Sequence, residues 1–373
     1  MEPIRILHEN VIMETGGIET QLMRIYRKID RSKIQFDFLV HRKEKGAYDD
    51  EIRALGGKIY YSEPFNPFKH KDYVKSMDDF FKSHPEYKIM ISHSELALWP
   101  LIVAKRNNVP IRICYSHNGR SKFCLKRVFM DFERLFIKKY CNEMFAVSKL
   151  AGNYTFGKKS VNNGTVKIIK NGLIVDDFKF DPVIRSKKRK ELNLDNSLVF
   201  IHIGRFMVQK NHEFLIKIFK EITKKYDNAV LLLVGEGRLE NKVKAQVKKY
   251  GLVDKVLFLG RRKDISELLM ASDVMLLPSF YEGFPNVAIE SQASSLPIFM
   301  SSKITDEACF SRYSSRISLN VKEKKWANDI CNLLENYPER KNMSNEMDNI
   351  GHNIDKIVEW YEQFYINTYK NLD

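Results

Sequence analysis

Two glutamates lie eight positions apart in the stretch EGFPNVAIE, at Glu282 and Glu290. An apolar run ends near Pro278 and a helical pattern begins near Asn286, which places the first glutamate in a loop and the second about one turn into a helix. Ionised carboxylates accept hydrogen bonds, so the pair can bind neighbouring hydroxyl groups, as on a ribose or a hexose. Acidic residues near a helix start also stabilise the helix dipole, and the pattern alone does not separate the two interpretations.

The turn between these glutamates is suited to a ligand that carries phosphate or hydroxyl groups. Gly283 lets another group approach the backbone closely, and Pro285 is a favourable residue in a first helical turn. The first backbone N–H groups of a helix have no partner within the helix. They therefore form a binding site for an anion at the start of the predicted helix.

Two cations follow the apolar run 198–204, with Arg205 at its end and Lys210 five residues further on. A planar guanidinium and a compact ammonium together match the charge of a diphosphate. Solvated loop charge is the alternative, since the chain has 62 lysines and arginines. The next apolar run leads into VGEGRL (234–239), whose glycines can admit a ribose or a base, or can form only a tight turn.

The first half of the chain carries two further candidates. METGGIE (13–19) leads towards the first helical pattern, and Gly16 and Gly17 can bind a phosphate through backbone N–H groups or form a plain turn. The spacing is not GxGxxG, so the dinucleotide fingerprint is absent. His117 follows the apolar run 111–115 and can contact a sugar or orient an acceptor hydroxyl, although a lone histidine is more often structural.

Short apolar runs separated by amphipathic stretches must position these residues. In the first half they are 4–7, 35–40, 58–61, 88–92, 111–115, 143–147 and 166–170, and in the second half 198–204, 229–235, 255–260, 273–278, 297–301 and 316–319. Nearly continuous apolar strands alternating with helices, such as 211–226 and 238–250, predict parallel sheets covered on both faces. Ligands of such sheets bind beyond the carboxyl ends of the strands, where the candidate residues fall.

The pattern occurs twice and predicts two domains. A polar, basic joint at 176–196 separates them, so we assign residues 1–175 and 176–352 to two doubly wound α/β domains that face each other across a cleft. Residues 353–370 carry apolar side chains at helical spacing, which need a surface to pack on. We therefore assign residues 353–373 to a separate C-terminal helix.

Composition limits the classes of function. The net charge is +15, and residues 1–175 hold 31 lysines and arginines against 19 aspartates and glutamates, so the excess lies in the first half. A basic half can face nucleic acid, an anionic membrane or phosphorylated molecules. No apolar run is long enough to span a membrane, and the five cysteines and nine histidines show no metal-binding spacing. With no secretion signal at the N-terminus, we expect a cytoplasmic location.

The segment 120–140 predicts a basic amphipathic helix, because lysines and arginines alternate there with phenylalanines such as Phe132 and Phe136. Such helices dock on anionic membrane surfaces. The alternative is an ordinary helix whose apolar face lies in the core. We assign most of its aromatic residues to the core and some of its lysines to a membrane or lipid-phosphate role.

Five short motifs together resemble those of glycosyltransferase family 4. They are TGGIE, SHN, GRF with the following QK, VGEG and, above all, EGFPNVAIE. The resemblance covers nearly the whole chain and is closest to enzymes that build bacterial capsular and exopolysaccharides. It implies the GT-B fold, with two Rossmann-like domains and a cleft between them, and sugar transfer with retention of anomeric configuration. In that fold residues 1–175 would bind the acceptor, residues 176–352 would bind the nucleotide-sugar donor, and the C-terminal helix 353–373 would return to the N-terminal domain. Its most specific motif is the pair of glutamates at Glu282 and Glu290.

The family assigns roles to the matching residues. Glu282 would bind hydroxyls of the donor sugar and Glu290 the ribose of the nucleotide. Arg205 and Lys210 would hold the diphosphate and neutralise the leaving group without a metal or other cofactor. His117 would line the donor-sugar side of the cleft.

The predicted site divides into two sets. The predicted catalytic residues are Glu282, His117, Arg205 and Lys210. The predicted donor-binding residues are Gly16, Gly17, Arg205, Lys210, Gly235, Glu236, Gly283, Phe284, Asn286, Val287 and Glu290. Within the second set, Gly16 and Gly17 would close over the diphosphate from the N-terminal domain.

The resemblance implies a nucleotide-sugar donor, expected to be a UDP-sugar, and a glycan or polyprenyl-diphosphate-linked acceptor. It implies peripheral contact with the inner face of the plasma membrane and no nucleic acid partner. Ser295 stands where the family usually has glycine, and Asn286 and Ala288 replace commoner residues, which leaves the donor sugar open. The alternatives are an epimerase or hydrolase of nucleotide sugars with the same fold, or a non-enzymatic basic protein that binds a membrane or nucleic acid.

Overall fold

In the computed structural model, residues 2–65, 70–94, 97–117, 125–335 and 339–372 are described. Contacts within the chain divide it into two compact units. Unit 1 comprises Met1–Gly172 and Asn353–Asp373, and unit 2 comprises Leu173–His352.

Unit 1 is built on a parallel sheet. Its described strands are β1 (Ile4–Asn10), β2 (Ile34–Val40), β3 (Ile59–Tyr61), β4 (Ile89–Ser92), β5 (Ile111–Ser116), β6 (Glu143–Ala146) and β7 (Val166–Ile168). They lie in the order β3-β2-β1-β4-β5-β6-β7. The order reverses between β1 and β4, which is where doubly wound sheets bind ligands.

Helices cover both faces of this sheet, as the apolar strands require. The described helices of Met1–Gly172 are α1 (Gly17–Lys28), α2 (Asp49–Ala54), α3 (His70–Ser83), α4 (Leu98–Arg106), α5 (Leu125–Tyr140), α6 (Lys149–Phe156) and α7 (Lys158–Asn162). A bidentate ion pair lies across the first two strands, where Arg5 Nε and Nη2 each lie 2.6 Å from a carboxylate oxygen of the fully buried Asp37.

Unit 2 repeats the architecture. Its described strands are β8 (Leu198–Ile203), β9 (Ala229–Val234), β10 (Val256–Gly260), β11 (Val274–Leu277), β12 (Ile298–Ser301) and β13 (Ser314–Ile317), in the order β10-β9-β8-β11-β12-β13. All pairings are parallel, and β8 and β11 are neighbours at the point where the order reverses. The loops that follow these two strands therefore meet at one edge of the sheet.

The described helices of unit 2 are α8 (Pro182–Glu191), α9 (His212–Ile222), α10 (Glu240–Lys249), α11 (Ile265–Ala271), α12 (Asn286–Ala293), α13 (Glu323–Glu335) and α14 (Ser344–Asn349). α9 and α13 pack on the sheet around the fully buried Trp326. Asp181 caps α8 because its side chain accepts from the N–H groups of Val183 and Ile184.

The last helix, α15 (Ile354–Lys370), belongs to unit 1, where it packs against α1 and β1. Ile354, Ile357, Val358, Tyr361 and Tyr365 form its buried face. Polar contacts join it to the end of α1, since Lys28 Nζ lies 2.6 Å from Asp355 Oδ1. The predicted apolar stripe thus has the partner surface that it needs.

The expectation that most aromatic residues of α5 lie in the core is wrong for two of them. We assigned most aromatic residues of 120–140 to the core, but Phe132 is 56% exposed and Phe136 is 41% exposed. Val128 and Leu135 are exposed as well, at 50% and 74%. Residues 118–124, where the predicted helix begins, lie outside the described part of the chain. α5 therefore has an apolar stripe on its outer face, at helical spacing, in addition to its buried side.

Each apolar run predicted as a strand corresponds to a strand of the structure, which confirms two parallel-sheet α/β domains. Most bounds agree within two residues, although β1 continues to Asn10, beyond the predicted 4–7. The extra residues include His8 and Glu9, which are polar but fully buried at the strand's carboxyl end. The length of a strand is underestimated where its last residues are polar, because the prediction relies on hydrophobicity to find the strand.

Candidate active site

The loops after β8 and β11 bring Lys210 and Glu282 together. Lys210 closes a short 3-10 turn after β8, and Glu282 follows β11. The Lys210 Nζ donates to Glu282 Oε1 at 2.7 Å, and both side chains are largely buried. The sequence separates these residues by 72 positions, and the neighbouring positions of β8 and β11 in the sheet place them side by side.

Gln209 fixes the second carboxylate oxygen. Its Nε2 donates to Glu282 Oε2 at 3.1 Å and to the carbonyl of Tyr281 at 3.0 Å. The Phe280 N–H donates back to the Gln209 carbonyl at 2.8 Å. Each oxygen of Glu282 accepts one of these hydrogen bonds and keeps a further lone pair for a ligand. Sequence reasoning missed Gln209, although its place beside Lys210 in VQK is a signal that could have found it.

A glycine makes room for the lysine. A Cβ at Gly204 would lie only 2.9 Å from both Cδ and Cε of Lys210, so the aliphatic part of the lysine lies over this glycine. Behind it, the ring of His212 stacks on Phe206 with a centroid distance of 4.3 Å. Burial, and then the charge of Lys210, lowers the pKa of His212 to about 4, so this histidine is neutral at pH 7. His212 therefore adds no positive charge beside the Lys210 ammonium.

Arg205 is exposed directly after β8. Within the described ranges, its guanidinium makes no hydrogen bond or ion pair. An arginine that keeps all its donors available at the carboxyl end of a strand is suited to bind an anionic ligand. This arrangement is consistent with the predicted role of Arg205 and does not test it.

The VGEG turn packs closely on the backbone of the preceding loop. Gly235 has φ +131° and Gly237 has φ +156°, and a Cβ at either would contact the backbone of Gly204 or Phe206. The Phe206 N–H donates to the Glu236 carbonyl at 3.0 Å. Both glycines are therefore required for packing. The Glu236 side chain is exposed and lies 3.0 Å from Arg261 Nε.

The EGFPNVAIE segment folds as predicted, with α12 beginning at Asn286. Glu290 is buried in that helix at 5% exposure. The Phe284 ring packs inside unit 2, 5.3 Å from the ring of His352. Asn286 and Val287 are half-buried. Phe284 can therefore serve a ligand through its backbone and not through its ring.

The Gly16–Gly17 turn is occupied by a carboxylate. Gly16 is the N-cap of α1, and a Cβ there would clash with the Glu19 carboxylate. A carboxylate at a helix N-terminus stabilises the helix dipole. A phosphate at this turn would have to displace it, so the predicted role of Gly16 and Gly17 requires Glu19 to move.

His117 is the end of a chain of three histidines. His8 Nδ1 lies 2.9 Å from His93 Nε2, and His93 Nδ1 lies 2.9 Å from His117 Nε2. Burial lowers the pKa of His8 and of His117 to about 3, so both are neutral at pH 7. Sequence reasoning missed His93, although it follows β4 at the strand reversal, where ligand-binding residues are expected.

In the described segments there is no group of three or more His, Cys, Asp or Glu that could hold a metal ion. The same residues include no helix long and apolar enough to cross a membrane. The four described cysteines, Cys114, Cys141, Cys309 and Cys331, are free thiols. Metal-independent activity stays a prediction.

Solved structures with the same architecture identify the fold. HepE of Anabaena in complex with UDP has a TM-score of 0.76 at 17% identity, covering 97% of this chain and 100% of that one. Sucrose-phosphate synthase of Thermosynechococcus elongatus has a TM-score of 0.77 at 17% identity, covering 98% and 99%. At these identities the likeness shows the fold alone, which is the GT-B fold of glycosyltransferases.

The family follows from sequence similarity. The family model described as glycosyl transferases group 1 matches residues 184–349. The putative glycosyltransferase EpsF of Bacillus subtilis is 31% identical over 334 residues, covering 88% of this chain and 87% of that protein. An Escherichia coli UDP-Gal:alpha-D-GlcNAc-diphosphoundecaprenol alpha-1,3-galactosyltransferase is 28% identical, covering 80% and 79%. The chain belongs to the group 1 glycosyl transferases and is an enzyme of that class.

Proposed function

We propose that this glycosyltransferase moves a hexosyl or N-acetylhexosaminyl group from a UDP-sugar to a glycan or polyprenyl-diphosphate-linked acceptor, with retention of configuration, in the synthesis of a surface polysaccharide. The observation that carries the proposal is the Lys210–Glu282 ion pair at the carboxyl edge of the unit 2 sheet, with the exposed Arg205 on the loop that follows the same strand as the lysine. A sugar nucleotide presents hydroxyls and a diphosphate, and this edge supplies acceptors and cations for both.

The hydrogen-bonding capacity of the ion pair supports this assignment. An ammonium has three donors, and Lys210 uses one on Glu282. Two donors remain for phosphate oxygens, and Arg205 adds a fork that suits a diphosphate. Glu282 keeps lone pairs for sugar hydroxyls, while its bonds to Gln209 and Lys210 hold the carboxylate in place.

In the proposed mechanism the nucleotide diphosphate is displaced directly through an oxocarbenium-like state. The acceptor hydroxyl attacks the anomeric carbon on the same face of the sugar from which the leaving group departs. It gives its proton to a phosphate oxygen of the donor. Negative charge develops on the leaving diphosphate, and Lys210 and Arg205 stabilise it electrostatically. No metal and no separate general base are needed. Glu290, further along α12, would bind the ribose.

Three similar proteins support the proposed substrates and product. HepE was solved with UDP-glucose as well as with UDP, and the Escherichia coli relative is named for a UDP-Gal donor and a diphosphoundecaprenol-linked acceptor. A Staphylococcus aureus relative, CapH, is named for capsular polysaccharide biosynthesis. These names favour a UDP-sugar donor and a lipid-linked acceptor for this chain.

A thermal-shift screen without metal tests the donor. We expect UDP or one of its sugar conjugates, and not GDP, ADP or CMP, to raise the unfolding temperature, because a ligand at 100 times its dissociation constant stabilises a fold by about 2.7 kcal/mol. Glu290→Gln should reduce this shift, since it replaces an acceptor-only carboxylate with an amide. Glu339→Gln, at an exposed glutamate of the same unit, is the matched control. If every nucleotide leaves the wild type unshifted, the donor site is absent.

The outer face of α5 supports contact with an anionic membrane. Phe132, Leu135 and Phe136 are exposed there, and the exposed Lys138 and Lys139 follow in the last turn. Apolar side chains enter the lipid boundary, and each basic residue near an anionic surface adds about 1 kcal/mol. This surface would keep the enzyme beside a lipid-linked acceptor.

Flotation with vesicles tests the membrane contact. The wild type should float with phosphatidylglycerol-containing vesicles and remain unbound with neutral phosphatidylcholine vesicles. Replacing both Leu135 and Phe136 by serine should reduce the bound fraction at least tenfold, because it removes two apolar anchors. Val253→Ser changes a residue of unit 2 that is 58% exposed and is the control. Equal flotation of the double variant and the wild type would contradict this role of α5.

A further inference from the structure

Unit 1 contains a cavity of about 50 Å³ between β5, α5 and α6. Its lining comprises His93, Ser94, Ala97, Cys114, Tyr115, Ser116, His117, Glu133, Arg134, Ile137, Tyr154 and Thr155. A cavity that holds one water molecule has a volume of roughly 10–15 Å³ on the same measure. This cavity therefore has room for a group of about four non-hydrogen atoms. Ser94, His117, Tyr154 and Thr155 are half-buried, which makes this side accessible from solvent. Apart from His117, no residue of the predicted catalytic and donor-binding sets lines this cavity.

Glu133 is the most unusual residue of the lining. It is only 3% exposed, and its Oε1 is buried without a hydrogen-bond partner. Burial raises the pKa of this carboxyl to about 8, helped by the nearby Glu9 and opposed by a hydrogen bond to the Leu98 backbone. The carboxyl is therefore mainly protonated at pH 7. A buried acid with one oxygen that lacks a hydrogen-bond partner costs stability, so its presence at a cavity needs an explanation.

Arg134 supplies the complementary group. Its Nη1 donates to the Tyr154 carbonyl at 2.6 Å, and its Nη2 lies 3.4 Å from Asp131 Oδ1. Its Nε, however, is buried without a partner. The lining thus offers one unused N–H donor, on Arg134, and one unused oxygen, on Glu133. The guanidinium charge is already paired with Asp131, so the lining has no unpaired charge to attract an ionic ligand.

Three further residues of the lining are apolar and buried. Ala97, Cys114 and Ile137 are buried at 2%, 2% and 4% exposure. The hydroxyl of Ser116 is already engaged, since it donates to the Ala151 carbonyl at 3.0 Å and lies 2.7 Å from the Thr155 hydroxyl. An occupant therefore needs one acceptor, one donor and a small apolar part.

An acetamido group has this composition. Its carbonyl accepts one or two hydrogen bonds, its N–H donates one, and its methyl group is apolar, with four non-hydrogen atoms in all. We propose that the Glu133–Arg134 cavity is an acceptor subsite that receives the acetamido group of an N-acetylated sugar. With the carboxyl proton on Glu133 Oε2, the Glu133 Oε1 accepts from the acetamido N–H and the Arg134 Nε–H donates to the acetamido carbonyl. Ala97 and Ile137 contact the methyl group.

The subsite deepens the proposed function, because it names the acceptor sugar of that transferase and depends on transfer to a glycan. It also accounts for the two unpartnered atoms. A hydroxyl in place of the acetamido group would leave the apolar walls unfilled and one of these atoms without a partner. A uronic acid would bring a charge that the lining does not neutralise.

Two glycosides that differ only at C2 test the subsite. Binding of methyl α-N-acetylglucosaminide and methyl α-glucoside is measured by ligand-observed NMR, with and without UDP. We expect the acetamido glycoside to bind the wild type at least ~10-fold more tightly, the factor that one net hydrogen bond supplies. Glu133→Leu should reduce the preference to less than about twofold, since it keeps the size and removes both oxygens. Glu133→Gln, which keeps an oxygen acceptor, should retain it.

Two further variants complete the design. Ala97→Leu fills the cavity and should also abolish the preference, which protects the test if one variant fails to fold. Val183→Ser changes a residue of unit 2 that is 74% exposed and should leave the preference unchanged. If the wild type responds to UDP but binds both glycosides equally, or binds neither, the proposed subsite is overturned. The proposed transferase function would be unaffected by that result. A preference that survives Glu133→Leu would overturn it as well.

Discussion

Lys210→Ala should lower the rate of sugar transfer by at least ~10²-fold, the effect of removing one preorganised group that stabilises charge in a transition state. The lysine is held for this purpose, since its ammonium is fixed 2.7 Å from Glu282 and its stem lies over Gly204. The ammonium is therefore in place before the donor binds, and no reorganisation is needed when the leaving group departs. Initial rates with a radiolabelled UDP-sugar measure the effect.

A matched control separates this role from charge in general. Lys217, on α9 of the same unit, pairs with Glu213 at 3.5 Å and lies outside the site. Lys217→Ala should change the rate less than twofold. The Lys210→Ala variant should also keep its fold, because Gln209 still donates to Glu282. Near-normal turnover of Lys210→Ala would contradict the assignment of the diphosphate site.

Glu133→Gln should become more stable relative to the wild type as the pH rises. Between pH 5 and pH 8, the free energy of unfolding of unit 1 in the variant minus that in the wild type should increase by roughly 2–4 kcal/mol. The pKa of Glu133 is raised from 4.5 to about 8, mainly by burial. Between these values the folded protein keeps a proton that the unfolded chain has released. The free energy of unfolding therefore falls as the pH rises, by up to about 1.4 kcal/mol per pH unit. Glutamine is neutral at every pH, so the free energy of unfolding of the variant does not fall for this reason.

Urea unfolding of both proteins at pH 5, 6.5 and 8, followed by native-state amide exchange in unit 1, measures this difference. The buried histidines, whose pKa values are lowered, destabilise the fold as the pH falls, and they do so equally in both proteins. Their contribution therefore cancels in the comparison. Parallel curves for the two proteins would mean that Glu133 titrates as an ordinary exposed glutamate, and the acetamido subsite would lose its neutral acid.

The strands were predictable because each is a short apolar run bounded by polar turns. β9, at Ala229–Val234, is such a run, and its predicted bounds differ by one residue. β13 was placed two residues too late, at 316–319, because its residues Ser314–Ile317 are mostly polar and none of the four is fully buried. Hydrophobicity marks a strand only where the sheet is covered on both faces.

Ser295 shows the limit of motif comparison. The sequence reveals only that serine replaces the usual glycine. The structure shows that Ser295 has φ +51°, a left-handed conformation that favours glycine. The Lys341 N–H donates to the Ser295 hydroxyl at 3.2 Å, and that hydroxyl in turn donates to the Lys341 carbonyl, which offsets the cost of the conformation. This departure therefore concerns backbone packing and is not evidence about the donor sugar.

The sequence by itself determined the fold class, the family and the loops that carry Glu282, Lys210 and Arg205, because apolar periodicity and local motifs are short-range properties. Only the tertiary structure decided which side chains meet across the sheet. The Lys210–Glu282 pair, the His8–His93–His117 chain and the burial of Glu133 depend on strand order and helix packing. Such contacts join residues far apart in the chain, and burial, which sets the protonation of Glu133 and the exposure of the α5 stripe, exists only once the units have folded.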